Sequence, residues 1–303
     1  MRIGLIGTGP WARTVHGPSV ASHPNAELVG VWGRDAERAT SAATELGVMP
    51  FSDLDDLLAA VDGLTFAVPP DVQPTIAIRA AERHLHLLLE KPIALSLADA
   101  MRLEQAVAVA RVASIVFFTR RFRPETRAWL GRAAEQGGWY GGRAETDFNP
   151  LGGGSQSDVS PWRREHGALW DMGPHALAQL IPVLGDVTAV MALAGRGDQV
   201  HLLLRHTEGR SSTASLSYSS PAVTGNSLYI DGEFGRMPAP MDALSTAESI
   251  TAHHVALDAL IDQSRQTDPG HPCDVHFGAR VVAILDAARD SLATGRLVEV
   301  ARL

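Results

Sequence analysis

The sequence predicts an α/β chain: a parallel sheet with helical crossovers, followed by an α+β domain on a mixed or antiparallel sheet. Three observations predict it. Up to about Arg120, short apolar runs alternate with longer helical patterns, and strand–helix alternation with short loops means a parallel sheet with right-handed crossovers. A glycine pattern sits between the first apolar run and the first helical one. Beyond Arg120, strand-like runs succeed one another without helices between them. The length agrees, since 303 residues at roughly 150 per domain suggest two domains.

Strands are expected at Arg2–Ile6, Glu27–Trp32, Leu64–Val68, His84–Leu89 and Ser114–Phe118. Helices are expected at Trp11–Ser22, Ala36–Leu46, Leu54–Ala60, Val72–Arg83 and Leu97–Ala110. Ser96 and Asp99 form a Ser-x-x-Asp start that caps the last of these. After Arg120-Arg121-Phe122-Arg123-Pro124 a short helix runs to Gln136, and a glycine-rich passage follows, including Gly152-Gly153-Gly154. Strand-like runs then appear at Arg143–Phe148, Val187–Ala194, Val200–His206, Ser212–Ser219 and Ser227–Asp231. A helix over Phe277–Ala293, stopped by Gly295, and a strand at Val298–Val300 close the chain.

Gly7-Thr8-Gly9-Pro10-Trp11-Ala12 fits G-x-G-x-x-G/A directly after a strand and at the opening of a helix. Gly7 permits the tight turn, Gly9 lets the backbone approach a pyrophosphate, and Ala12 keeps the helix close to the sheet. The helix N-terminus then faces the anion. The other reading is a glycine turn in a doubly wound domain that holds no cofactor. Past the second strand, Gly33 makes room near the ribose and Arg34 can meet a 2′-phosphate, so NADP is favoured over NAD. Asp35 comes two residues late and suits a helix cap.

The 26 basic residues comprise one lysine, Lys91, and arginines otherwise. A guanidinium cannot lose its proton near neutral pH, whereas an ammonium can when its surroundings allow. Lys91 is therefore a candidate for proton chemistry. It lies in Glu90-Lys91-Pro92 at the carboxyl end of a predicted strand, where open α/β sheets hold ligands. Glu90 can hold Lys91 in position; an ordinary loop ion pair is the alternative.

A second cluster runs from Trp162 to His175. Asp171 and His175 are four apart and share one face of a helix start. A neutral imidazole near a carboxylate can give or take a proton near pH 7. The plainer readings are an N-cap for Asp171 and an interior histidine for His175. No metal site is expected: no second His/Asp pair stands at ligand spacing, and the adjacent His253 and His254 are taken to face opposite ways. No G-x-S-x-G elbow points to a serine hydrolase.

Composition excludes further classes. A net charge of −8 argues against nucleic acid as a partner. The single cysteine, Cys273, forbids an internal disulfide. No apolar run reaches membrane-spanning length and no leader is read, so a cytoplasmic protein without membrane contact is expected.

The order Gly7-x-Gly9-x-x-Ala12, Pro69-Pro70, Glu90-Lys91-Pro92, Asp171-x-Gly173-x-His175 resembles the Gfo/Idh/MocA oxidoreductases, and the resemblance runs on to Ser291-x-x-x-Gly295-Arg296-x-Val298. It implies a Rossmann dinucleotide-binding domain over 1–119. It also implies a substrate-binding α+β domain over 120–303, with an open, mostly antiparallel sheet that forms a homodimer or homotetramer. It implies hydride transfer between a nicotinamide and a sugar or polyol carbon, with Lys91, Asp171 and His175 as catalytic residues. Gly7 to Ala12, Gly33, Arg34, Pro69, Pro70, Glu90 and Lys91 then serve the cofactor. Trp162 and Arg163 join Lys91, Asp171 and His175 on the substrate side. Two positions depart from the family: Asp71-Val72-Gln73-Pro74 follows the proline pair without a histidine, and Ala178 stands where many members carry Asp. A dinucleotide-binding sensor without turnover and a glycosidase that uses NAD transiently are the alternatives.

Overall fold

The computed structural model describes residues 1–147, 160–217 and 226–303. Phe148, Gly152-Gly153-Gly154, Tyr218 and Ser219 lie outside the described residues. The chain forms two compact units, Met1–Arg123 with Leu244–Ala279, and Pro124–Ala243 with Arg280–Leu303. Residues 244–279, which the sequence reading assigns to the second domain, thus pack in the first unit.

The first unit carries a six-stranded parallel sheet. Its strands are β1 (Arg2–Ile6), β2 (Glu27–Trp32), β3 (Met49–Phe51), β4 (Gly63–Phe66), β5 (His86–Leu89) and β6 (Ser114–Val116). They lie in the order β3-β2-β1-β4-β5-β6, that of a doubly wound dinucleotide-binding domain. The order reverses between β1 and β4, and open α/β sheets hold ligands past the carboxyl ends of the strands at such a point. Ile3, Leu5, Ile6, Leu64, Phe66 and Leu87 to Leu89 are wholly buried, as expected of strands covered on both faces.

Local chemistry sets the boundaries. Helices α2 (Ala36–Leu46), α3 (Leu54–Ala60) and α5 (Leu97–Ala110) start where predicted, with Asp35, Asp53 and Ser96 each accepting a backbone N–H as N-cap. The strand predicted from His84 begins two residues later, because His84 adopts φ +59° in the turn that follows helix α4 (Gln73–Ala81). The strand predicted to Val68 ends at Phe66. The first helix runs from Pro10 to Ser22, with a π-helical stretch at Ala12–His16 and a regular segment α1 over Gly17–Ser22. A helix not predicted, α8 (Thr246–Gln263), packs against the fingerprint helix and the β5 and β6 strands. A capping box of Ser245 and Glu248 starts it.

Among its described residues the second unit has a seven-stranded mixed sheet of β7 (Trp139–Asp147), β8 (Val187–Ala194), β9 (Val200–His206), β10 (Ser211–Ser217), β11 (Ser227–Gly232), β12 (Gly235–Pro238) and β13 (Val298–Glu299). The order is β12-β11-β7-β10-β9-β8-β13, and every pairing except β7 with β10 is antiparallel. This is the open, mostly antiparallel sheet the resemblance implies. Helix α6 (Pro124–Gln136) packs against helix α7 (Pro161–Leu184), and α7 packs on β7, β9 and β10. Gly173 lets α7 lie close to the helix α9 (Val275–Thr294): a Cβ there would stand 2.9 Å from Leu285 Cδ2. Among the described residues no helix is long and apolar enough to cross a membrane.

Candidate active site

The fingerprint loop is built by two glycines with different jobs. Gly7 has φ +126°, and a Cβ on it would meet the Ala67 carbonyl oxygen at 2.3 Å. Its amide donates to the Trp32 carbonyl at 2.9 Å. Gly7 is thus required by the close passage of the β1 and β4 ends. Gly9 differs: a Cβ there would meet nothing within 4 Å among the described residues. The fold does not need glycine at that position, but a ligand lying against the backbone would. The free space beside Gly9, at the start of a helix, fits the pyrophosphate of a dinucleotide. Ala12 is wholly buried, in keeping with its predicted role against the sheet.

Gly33 has a structural reason of its own. A Cβ there would stand 2.6 Å from Cγ2 of Thr8, so the threonine of the fingerprint excludes a side chain at the end of β2. Arg34 is exposed, and Asp35 caps α2 by accepting from the Arg38 amide at 3.0 Å.

Glu90 and Lys91 follow β5, and a cis peptide bond joins Lys91 to Pro92. The carboxylate of Glu90 accepts three donors from the first unit. The Trp11 indole N–H reaches Oε1 at 2.8 Å, His16 Nε2 reaches the same oxygen at 3.1 Å, and the Lys91 amide reaches Oε2 at 3.0 Å. Gln73, wholly buried, clamps the main chain of Glu90 from both sides, accepting from its amide at 2.8 Å and donating to its carbonyl at 2.7 Å. Gln73 lies three residues past Pro70, which is buried beside the half-buried Pro69. The fingerprint, the proline pair and the Glu-Lys-Pro motif therefore form one hydrogen-bonded assembly.

In the second unit, α7 is interrupted at Gly167, which has φ +63°, and Asp171 and His175 lie one turn apart after the break. Asp171 is an interior helical residue, not an N-cap. Its buried carboxylate accepts from Arg163 Nε at 2.9 Å, and the Arg163 guanidinium lies 4.6 Å over the Trp162 ring. Trp162, Arg163 and Asp171 thus form a contiguous cluster. The half-buried His175 gives its main-chain carbonyl to Gln179 Nε2 at 3.1 Å. Lys91 belongs to the first unit, and Asp171 and His175 to the second.

Sequence reasoning missed Gln73, His16, Thr65 and His253. His16 lies one turn past Ala12, a spacing that places it on the buried side of the same helix. His253 and His254 do not face opposite ways. They are about 100° apart on α8, and both reach the first helix: His253 Nδ1 meets Ser19 Oγ at 2.9 Å and His254 Nε2 meets the Ser19 carbonyl at 2.9 Å.

Comparison with known proteins agrees with this architecture. Residues 1–118 match a family described as an oxidoreductase family with an NAD-binding Rossmann fold, and residues 141–237 match its GFO/IDH/MocA C-terminal domain. Glucose-6-phosphate 3-dehydrogenase of Bacillus subtilis (strain 168) is 34% identical over 121 residues, covering 40% of this chain and 34% of that protein. D-Apiose dehydrogenase of Paraburkholderia graminis is 28% identical over 71% of this chain and 60% of its own. The matched stretch spans about a third of the length of the first curated relatives. The crystal structure of the WlbA dehydrogenase from Bordetella pertussis, in complex with NADH and UDP-GlcNAcA, superposes with a TM-score of 0.85 at 23% identity. That superposition covers 100% of this chain and 98% of that one, and it establishes a shared fold.

Proposed function

The chain belongs to the Gfo/Idh/MocA oxidoreductases, and we propose that it moves a hydride between a nicotinamide dinucleotide and a hydroxyl-bearing carbon of a sugar or polyol. The observation that carries this reading is the Glu90 carboxylate. It ties Trp11 of the dinucleotide fingerprint to the main chain of the lone lysine, Lys91. The relatives' names supply the substrate class, since both curated relatives above are named for sugar substrates.

When bound, the nicotinamide supplies or accepts the hydride. The protein's own residues bind, orient and move a proton. Gly9 and the helix beginning at Pro10 hold the pyrophosphate, and Thr8, Pro69 and Pro70 also serve the cofactor. Lys91 places a compact positive charge at the substrate oxygen and can pass on its proton. His175 takes or gives the hydroxyl proton. Asp171, fixed by Arg163, bonds a neighbouring hydroxyl or orients the imidazole, and Trp162 with Arg163 borders the sugar. NADP is the preferred cofactor in this reading, and Arg34 supports it as an exposed guanidinium at the end of β2. Self-association goes through the outer face of the second sheet, where Leu193 and Leu203 are 66% and 59% exposed.

The test is a panel of sugars and polyols with NAD and NADP, followed by absorbance of the reduced cofactor. Turnover of a sugar or polyol supports the reading. Tight dinucleotide binding with no turnover on any member would favour a sensor, and release of an aglycone without net reduction would favour a glycosidase.

A further inference from the structure

Behind Glu90 lies a set of polar side chains that the proposed reaction does not use. His16, Ser19, Thr65, His253 and their neighbours belong to the first unit, and all four named side chains are wholly buried. Thr65 sits in the middle of β4 among Leu64 and Phe66. A buried hydroxyl without a partner would cost about 1–3 kcal/mol, so its contacts are informative. Thr65 Oγ1 lies 2.7 Å from His16 Nδ1 and 3.2 Å from His253 Nε2. The two imidazoles also face each other directly, with His253 Nε2 3.2 Å from His16 Nδ1. At its far end, His253 Nδ1 is 2.9 Å from Ser19 Oγ.

With both imidazoles neutral, the direction of every hydrogen bond follows from one end. A carboxylate only accepts, so His16 Nε2 must carry a proton and donate to Glu90. Neutral His16 then has a bare Nδ1, which needs a donor. If His253 carried its proton on Nδ1, two bare nitrogens would face each other at 3.2 Å with only the Thr65 hydroxyl proton between them. With the proton on His253 Nε2, every atom is satisfied. Ser19 donates to His253 Nδ1, His253 Nε2 donates to Thr65 Oγ1, Thr65 donates to His16 Nδ1, and His16 Nε2 donates to Glu90 Oε1.

We propose that Ser19, His253, Thr65 and His16 form a one-way hydrogen-bond chain that positions the Glu90 carboxylate, and through it the Lys91 main chain and Trp11. These four are positioning residues. The chain ends at Ser19, which is itself wholly buried, so it holds a geometry and does not lead protons out to water. It makes α8, far away in sequence, a part of the active-site framework. Burial holds the His253 ring neutral, its affinity for a second proton lying well below the ordinary imidazole value. The titratable groups around it are His16, His23 and His254, and His16 faces Glu90 as well. The functional half of this inference rests on the oxidoreductase reading above; the hydrogen-bond order does not.

The experiment therefore has two arms. Nitrogen NMR of the imidazole rings in the wild-type protein near neutral pH reads the tautomers without any substrate. The chain requires His16 and His253 both neutral with the proton on Nε2; an Nδ1–H tautomer or a cation at either ring overturns it. The second arm replaces Thr65 by valine, which keeps the volume and removes the hydroxyl, and by serine, which restores the hydroxyl. Thr65→Val should shift the Trp11 indole N–H resonance and speed its exchange with solvent. It should also lower kcat about tenfold, the scale of one lost hydrogen bond, with an altered pH–rate profile and KM for the cofactor within about twofold. Thr65→Ser should recover most of both effects. A folded Thr65→Val protein with an unmoved Trp11 resonance, full kcat and an unchanged pH profile would overturn the positioning role. If the oxidoreductase reading alone is wrong, the tautomers and the Trp11 shift stand while no variant turns over any sugar.

Discussion

The indole N–H of Trp11 donates to Oε1 of Glu90 at 2.8 Å across 79 residues of sequence. Two motifs that read separately in the chain, the glycine fingerprint and Glu-Lys-Pro, are thereby held together. Trp11 is 40% exposed, so the bond is partly open to water and its removal should be felt more in positioning than in stability. Trp11→Phe keeps an aromatic face and loses the donor. It should cost about 1 kcal/mol or less in denaturant unfolding and weaken dinucleotide binding measurably by titration.

Gly7 and Gly9 should separate cleanly. Gly7→Ala places a Cβ 2.3 Å from the Ala67 carbonyl oxygen at a φ that L-residues avoid, so a loss of about 2 kcal/mol or more is expected in unfolding experiments. Gly9→Ala meets no atom of the described residues within 4 Å. Its Tm should stay close to wild type while dinucleotide affinity falls. Unchanged affinity in Gly9→Ala would remove the pyrophosphate from that turn.

Cofactor choice can be tested at Gly33, provided Thr8 is changed with it. A carboxylate at the end of β2 can bond a free ribose hydroxyl and repels a 2′-phosphate. Gly33→Asp alone would press its Cβ against Thr8 Cγ2. In Thr8→Ser/Gly33→Asp the methyl is gone, and this double variant should bind NAD more tightly than NADP. The wild type should show the opposite order in calorimetric titration.

Acid should destabilise the fold through its buried imidazoles. Burial pushes the affinity of His253 for a proton well below the ordinary value of 6.5, and burial is also the leading cause of the lowered value at His206, which is 2% exposed. The unfolded chain protonates these rings below about pH 6.5, whereas the folded chain resists, so the unfolded state holds more protons there and stability falls with pH. The urea midpoint should drop between about pH 7.5 and about pH 5.5, and His253→Gln should flatten that dependence.

Much of this fold is legible because its signals are local. The strand over Arg2–Ile6, the helix over Leu97–Ala110 and the Ser96 cap follow from apolar runs and capping chemistry within a few residues. What was missed lacks such signals or breaks them. β3 is three residues long, with Met49 66% exposed. α7 shows in the sequence only as a helix start around Asp171 and His175, because Gly167 breaks the helix and Pro174 and Pro182 lie inside it. α8 carries a capping box, Ser245 and Glu248, that could have revealed it. The hydrogen-bond chain behind Glu90 could not be read locally, since His253 meets Thr65 and His16 across 188 and 237 residues. A buried polar network is fixed by tertiary packing, and a single sequence shows its members only as scattered histidines, serines and threonines.

In the proposed reaction Lys91 does chemistry which a fixed positive charge cannot. Every other basic Lys/Arg position in the chain is arginine, so Lys91→Arg asks the question directly. Arginine keeps the charge, but it does not release its proton at working pH and its planar fork is bulkier beside a substrate oxygen. The measurement is turnover of Lys91→Arg on the substrate found in the panel, beside its Tm and its dinucleotide affinity. The variant should fold and bind the dinucleotide normally, and should have lost most of its turnover. Turnover near the wild-type rate would contradict that role and leave the lone lysine an accident of composition.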